Sequence, residues 1–304
     1  MKIGTFSRTS EHTYGGRPNR FSDLREIART AEAVGLDSYW LPDHVVFRPH
    51  EPEQIHCWDV MTFLGGLAAV TERIALGPLV AATTFRNPAV LARMAASLDE
   101  ISGGRFLLGL GAGNWEAEHR TLGLAFDHRA ARFEEAIQII APLVRGEEVS
   151  FRGRYYEIDR CDPRPRGPSP SGPPIWIGAR GERMLRLTAR YADAYNVIWP
   201  HDAAAARERW EHMVGICQEV GRDPATLELT VGTHVQLPGD GPPEGDDAFT
   251  GTYEQIAEHL LAFEAVGVSH LVIDFRPETT VDILERFSRV LEIMRRERTV
   301  TADL

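Results

Sequence analysis

Apolar residues along this chain follow two alternating patterns: short unbroken runs, and longer stretches in which they recur three and four positions apart. Unbroken runs fit strands buried on both faces, and the wider spacing fits amphipathic helices. Residues 3–6, 38–41, 74–82, 105–110, 175–177, 194–198, 227–236 and 271–275 read as strands. Residues 22–34, 58–70, 88–102, 129–145, 182–191 and 203–220, a stretch opening at Thr252, and 281–296 read as helices. Pro88 suits a first helical turn, where its missing N–H costs nothing. Gly35, Gly103-Gly104 and Gly146 mark helix ends. Ser22 is the expected N-cap of the first helix, and Thr252 with Gln255 forms a capping box.

Strand and helix alternate eight times with no linker long enough to divide the chain. A closed parallel barrel is the simplest fold that buries such strands. The expected architecture is α/β: one (β/α)8 TIM barrel over residues 1–304. Residues 149–158, centred on Gly153, read as a hairpin excursion between the fourth helix and the fifth strand. The Pro- and Gly-rich loop 237–251 is expected to be mobile.

Composition narrows the function. A net charge of −11 argues against a nucleic-acid partner. No apolar run approaches the length of a membrane span. The amino terminus reads as a strand rather than a leader, and Cys57, Cys161 and Cys217 are far apart without a C-x-x-C. A reducing cytoplasm is therefore expected, with no metal site. Arg160, Arg164, Arg166, Arg180, Arg183, Arg186 and Arg190 make one basic stretch, suited to an anionic cofactor tail or else simply solvated.

In parallel barrels, chemistry sits at the carboxyl ends of the strands. Asp43-His44 follows the second strand, and imidazole titrates near neutrality. Gly109-x-Gly111-x-Gly113 ends the fourth strand, but Asn114 occupies the position of the last glycine in a dinucleotide fingerprint, and no matching acidic residue is evident. Those glycines serve either close packing or backbone approach to a flat ring. Gly178-Ala179-Arg180-Gly181-Glu182-Arg183 leads into a helix start, a ready phosphate site. His12, Trp199, His201, His234, Asp274 and Arg276 lie at or past strand ends; of these His12, Trp199, His234 and Arg276 are the expected substrate contacts.

Several motifs stand in a fixed order. Asp43-His44 precedes Thr84-Phe85-Arg86-Asn87-Pro88-Ala89, Gly103-Gly104-Arg105-Phe106, Gly109-Leu110-Gly111-Ala112-Gly113 and Glu116-x-Glu118-His119. Ile175-Trp176-Ile177-Gly178, Tyr191-Ala192-Asp193-Ala194 and Gly251-Thr252 follow. In that order the chain resembles the luciferase-like monooxygenase superfamily, and within it the oxidoreductases that use the deazaflavin coenzyme F420. The resemblance implies hydride transfer between F420 and a small organic substrate, with His44 and Asp43 as catalytic residues. It places Leu79, Val80, Ala81, Thr83, Gly111, Ala112, Gly113 and Asn114 around the cofactor ring, with a non-prolyl cis peptide at Leu79–Val80. Leu79 is bulkier than the small residue relatives carry there. A glutamate that donates a proton in some relatives is replaced here by Asn114, so that role does not transfer. Gly178, Ala179, Arg180, Gly181 and Arg183 would hold the cofactor phosphate. The resemblance also implies a homodimer. Two alternatives stay open: an FMN-dependent monooxygenase supplied by a partner reductase, and a ligand-binding barrel without catalysis.

Overall fold

The computed structural model describes residues 1–10, 19–47, 55–241 and 248–302. His12 lies outside them. Eight parallel strands form the ring: β1 (Lys2–Phe6), β2 (Ser38–Leu41), β3 (Ala75–Pro78 with Ala81–Ala82), β4 (Leu108–Gly111), β5 (Ile175–Gly178), β6 (Ala194–Ile198), β7 (Glu228–Gln236) and β8 (His270–Arg276). Each pairs with its neighbour in sequence, and β8 returns to β1. Helices α1 (Phe21–Val34), α2 (Val60–Ala68), α3 (Pro88–Ser102), α4 (Glu116–Thr121), α5 (Arg129–Arg145), α6 (Glu182–Tyr191), α7 (Ala203–Glu219), α8 (Tyr253–Ala265) and α9 (Val281–Ala302) surround it.

Strand β3 changes partners halfway. Ala75–Pro78 pairs with β2, whereas Ala81–Ala82 pairs with β4. The intervening peptide Leu79–Val80 is cis, as the resemblance implied. The neighbouring strand makes room for this break. A Cβ on Gly109 would lie 2.0 Å from the Pro78 carbonyl oxygen, and one on Gly111 would lie 2.5 Å from Val80 Cγ2. Close packing therefore accounts for these two glycines, which the G-x-G spacing alone left undecided.

The ring interior is filled by Phe6, Trp40, Trp176, Ala194 and Val272, with Leu79 packed against them. Trp40 and Trp176 approach to 4.5 Å between ring centroids. Below them lies a buried polar chain. Trp40 Nε1 donates to Ser38 Oγ at 2.6 Å, and Ser38 Oγ lies 2.7 Å from His270 Nε2. The serine oxygen accepts from Trp40 and keeps both a second lone pair and its own proton for the imidazole, so the direction of the Ser38–His270 bond follows the His270 tautomer. Burial pushes His270 down from 6.5 to about 3. The sign follows from linkage: below pH 6.5 the unfolded chain binds a proton that the folded chain refuses until about pH 3. Stability is expected to fall as pH drops through that window, by up to about 1.4 kcal/mol per pH unit from this residue. Denaturant titrations of wild type and His270→Gln check it; equal slopes with pH reject the assignment.

Arg105 ties the amino-terminal end of the barrel. Its guanidinium donates to the carbonyls of Ser102, Ile74, Ala68 and Thr71 at 2.7–3.0 Å, and to Thr71 Oγ1 at 3.1 Å. The Ala68 carbonyl ends α2 and the Ser102 carbonyl ends α3, where helical acceptors lack partners.

Several boundaries moved. The first helix starts at Phe21, with Arg20 rather than Ser22 as N-cap, because the Asp23 carboxylate accepts from the Arg20 amide at 2.9 Å. The second starts at Val60, where Asp59 accepts from the Thr62 amide at 2.8 Å. Strand β4 starts at Leu108, because Arg105 is engaged as above and Phe106 makes only an isolated bridge to Leu76. The hairpin excursion is present as Val149–Arg152 with Glu157–Cys161, its turn pinned by Glu135 accepting from three successive amides. Within the loop read as mobile, Ala248–Thr250 adds a short strand beside β7, and residues 242–247 lie outside the described set. Helix α4 and the short pair Val46–Phe47 with Ile55–His56 had no clear periodic signal.

Candidate active site at the carboxyl-terminal mouth of the barrel

A cavity of about 830 Å³ opens where β1 to β7 end. That is within the roughly 300–1,000 Å³ usual for ligand sites. Of the expected site residues, His44, Leu79, Val80, Gly111, Ala112, Gly113, Asn114, Gly178, Ala179, Arg180 and Trp199 line it, and Asp43 borders it. An adjoining groove of about 480 Å³ shares Ala112, Arg129 and Met184 with it and extends to Arg183.

His44 is partly exposed at the cavity wall, and its Nδ1 lies 3.0 Å from Glu118 Oε2. Glu118 is 1% exposed, and its other oxygen accepts from the amides of Val45 and Val46 at 2.6 and 3.0 Å. Burial works against ionising this carboxyl, but the bonds from His44 and the two amides outweigh it and hold it below the usual value. An ionised Glu118 accepts the Nδ1 proton, which leaves Nε2 as the acceptor nitrogen of neutral His44. The ring is also flanked by Phe47 at 5.2 Å, and Phe47 by Trp115 at 4.5 Å. Glu118 is the cavity residue whose direction the sequence left open. Without α4 in view, nothing decided which members of Glu116-x-Glu118-His119 face inward. Glu116 is exposed, whereas His119 is buried between Thr84 Oγ1 at 2.8 Å and the Trp115 carbonyl at 2.7 Å.

Asp43 borders the cavity but turns its carboxylate away from it, onto Arg86. The side chain has no exposed surface and accepts from Arg86 Nη1 and Nη2 at 2.6 and 3.0 Å. It also accepts from the Ala82 amide at 2.9 Å. Burial pushes this carboxyl up, against the pull of Arg86. Burial opposes charge on Arg86 too, yet Asp43 and Asp59 hold the guanidinium above its ordinary value. Arg86 keeps its proton far above neutrality and donates to both Asp43 oxygens. The work of this pair is to fix the strand just past the β3 break.

Several other expected site residues are buried or paired rather than lining the cavity. Ala81 and Thr83 are fully buried; Ala81 pairs with Leu110, and Thr83 donates twice to the Gly111 carbonyl. Gly181 caps α6 at φ +114° and does not border the cavity. Arg183 pairs with Glu134 in the adjoining groove. His234 and Arg276 sit behind the cavity wall: His234 stacks under Trp199 at 4.0 Å, and both reach Asp274. The basic stretch does not form one channel. Arg160 pairs with Glu148, Arg164 with Asp162 two residues away in the same loop, and Arg186 with Glu182 one turn along its helix and with Glu219. Arg180 alone of that stretch lines the cavity; Arg129, outside the stretch, joins it there. Arg129 donates to the Gly113 carbonyl at 2.6 Å, and Arg180 contacts the Ile198 carbonyl at 3.4 Å. Neither has a carboxylate partner among the described residues. No group suited to a metal ion and no helix long and apolar enough to cross a membrane occurs among them either.

A parallel eight-stranded barrel with a broken third strand and a cavity at its mouth defines the class of protein. A family model, luciferase-like monooxygenase, matches residues 1–241, and the chain belongs to that family. It is similar to an F420-dependent glucose-6-phosphate dehydrogenase of Nakamurella multipartita, 36% identical over 178 residues that cover 57% of this chain and 51% of that one. It is also similar to a phthiodiolone/phenolphthiodiolone dimycocerosates ketoreductase of Mycobacterium tuberculosis, 33% identical over 227 residues, covering 67% and 58%. The chain thus spans between half and three fifths of the length of these relatives. Its fold matches that of an F420-dependent secondary alcohol dehydrogenase in complex with an F420-acetone adduct, with a TM-score of 0.80, 18% identity, and coverage of 96% of this chain and 98% of that one.

Proposed function

We propose that this protein is an F420-dependent oxidoreductase acting on a small organic substrate. The observation that carries the reading is His44, oriented by buried Glu118, at the wall of a cavity floored by the β3 break. Similarity to an F420-dependent glucose-6-phosphate dehydrogenase and to an F420-dependent secondary alcohol dehydrogenase favours F420 over FMN. The residues fit such a cofactor: the Leu79–Val80 segment and the glycine-rich end of β4 give a flat floor, and Gly178 to Arg180 offer a phosphate cradle. Arg129 and Arg180 supply positive charge that no carboxylate neutralises among the described residues.

Bound deazaflavin supplies a site that takes up or returns a hydride. The protein's share is the proton. When a hydride leaves a carbinol carbon, the hydroxyl proton must leave as the carbonyl forms. Neutral His44 takes it at Nε2, and Glu118 stabilises the resulting imidazolium through Nδ1. In the reverse direction His44 returns the proton to the carbonyl oxygen. Phe47, Phe85 and Leu79 give the cavity apolar walls that limit water at the reacting carbon.

Fluorescence titration tests the cofactor. F420 is expected to bind at least about tenfold tighter than FMN, a difference one charge-assisted hydrogen bond can supply. Equal or tighter binding of FMN rejects F420 in favour of the FMN-dependent alternative. A homodimer is part of the same reading. Val90 and Ile101, 49% and 50% exposed, share one face of α3, and Trp58 beside α2 is 47% exposed. A monomer mass by light scattering at micromolar concentration rejects it.

A further inference from the structure

A second polar cluster stands apart from His44, where β1, β7 and β8 end. Arg8 Nη2 lies 3.3 Å from Asp274 Oδ2. That same oxygen also lies 3.2 Å from Arg276 Nη1 and 3.3 Å from His234 Nδ1. A guanidinium has five N–H donors. Among the described residues those of Arg8 have one long contact, to an oxygen already shared by two other groups. Arg8 is 36% exposed at its side chain and lines the cavity. The next residue, Thr9, also lines the cavity, 1% exposed, with its Oγ1 lacking a hydrogen-bond partner among the described residues. The flat face of Trp199, held by stacking on His234, lines the same space.

The charge of the lining points the same way. In a chain of net charge −11, the described lining of the cavity holds three arginines, Arg8, Arg129 and Arg180, and two acidic residues, Asp43 and Glu118. Asp43 is committed to Arg86, and Glu118 to His44 and two amides. Neither is available to Arg8.

We propose that the substrate carries an anionic oxygen group, a carboxylate or a phosphate monoester, held by Arg8 with the Thr9 hydroxyl beside it and Trp199 packed on its carbon frame. This deepens the oxidoreductase reading by naming the substrate class, and it rests on that reading only for the chemistry that follows binding. Arginine suits the task because it pairs with such anions through parallel donors and stays charged.

Saturation-transfer NMR on the F420-loaded protein tests it, with butyrate against butyramide and glycerol 3-phosphate against glycerol. The anion of at least one pair is expected to bind about tenfold tighter than its neutral partner. The pair that shows the preference separates carboxylate from phosphate. Arg8→Gln is expected to abolish the preference, and Arg8→Lys, which keeps the charge, to weaken it. Equal binding within both pairs, no binding of either anion, or a preference that survives Arg8→Gln overturns the proposal. Fluorescence of F420 in the same samples reports cofactor binding separately. A protein that takes up no F420 fails the cofactor reading, while the anion comparison, repeated without F420, still decides the role of Arg8.

Discussion

His44→Ala is expected to lower turnover about 10²- to 10⁴-fold, the range typical for a general acid–base group. The expectation rests on an orientation, not on proximity alone. Glu118 fixes Nδ1 at 3.0 Å, and the backbone amides of Val45 and Val46 fix Glu118. The imidazole is therefore held before substrate arrives, with Nε2 as the proton acceptor. Because His44 contributes one wall among many, F420 affinity is expected to change by less than about threefold in the same variant, well under one charge-assisted hydrogen bond. Glu118→Gln separates orientation from packing: the amide keeps the shape but cannot stabilise the imidazolium. It is expected to lower kcat by about 10-fold or more while leaving melting behaviour close to wild type, because the amide oxygen can still accept from the two backbone amides. Stopped-flow measurement of hydride transfer decides both. Normal turnover in His44→Ala removes this residue from the chemistry.

Arg105→Ala is expected to be the most damaging single change to stability, costing about 4 kcal/mol. Five donated hydrogen bonds disappear at once. Each is charge-assisted and individually worth roughly 1.5–3 kcal/mol, although they share one side chain and do not add. The carbonyls of Ala68, Thr71, Ile74 and Ser102 lose this donor together, at the ends of two helices and the approach to β3. Against a typical total of about 5–15 kcal/mol, that is a large share. The melting temperature is expected to drop by about 10 °C. Arg105→Lys should recover little, since three donors on one nitrogen cannot reach carbonyls spread across a planar fork. A loss below about 1 kcal/mol by denaturant titration would refute this account. Gly103-Gly104-Arg105-Phe106 is then a stability motif at the end of the barrel away from the cavity.

Local signals alone settled much of the architecture. The doubly buried runs, the helical spacing, and the stops at Gly35, Gly103 and Gly146 depend on residues near each other in sequence, and α5, α6 and β6 lie where these signals put them. Eight such units leave a closed barrel as the economical way to bury both faces of every strand. The position of the site followed, because loops after the strands share one end. Which residues work there was a different kind of question. Asp43 and His44 are adjacent in sequence, yet one carboxylate is turned onto Arg86 while the neighbouring ring faces the cavity. Arg180 and Arg183 are three apart, and only one lines it. Glu118 reaches His44 across 74 residues of sequence, and Arg8 reaches Asp274 across 266. Side-chain direction and charge pairing depend on groups brought together by closure of the ring. Sequence therefore fixed where the chemistry would gather, through short-range periodicity and turn residues; the tertiary structure decided which side chains are spent on holding the barrel and which remain to meet a ligand.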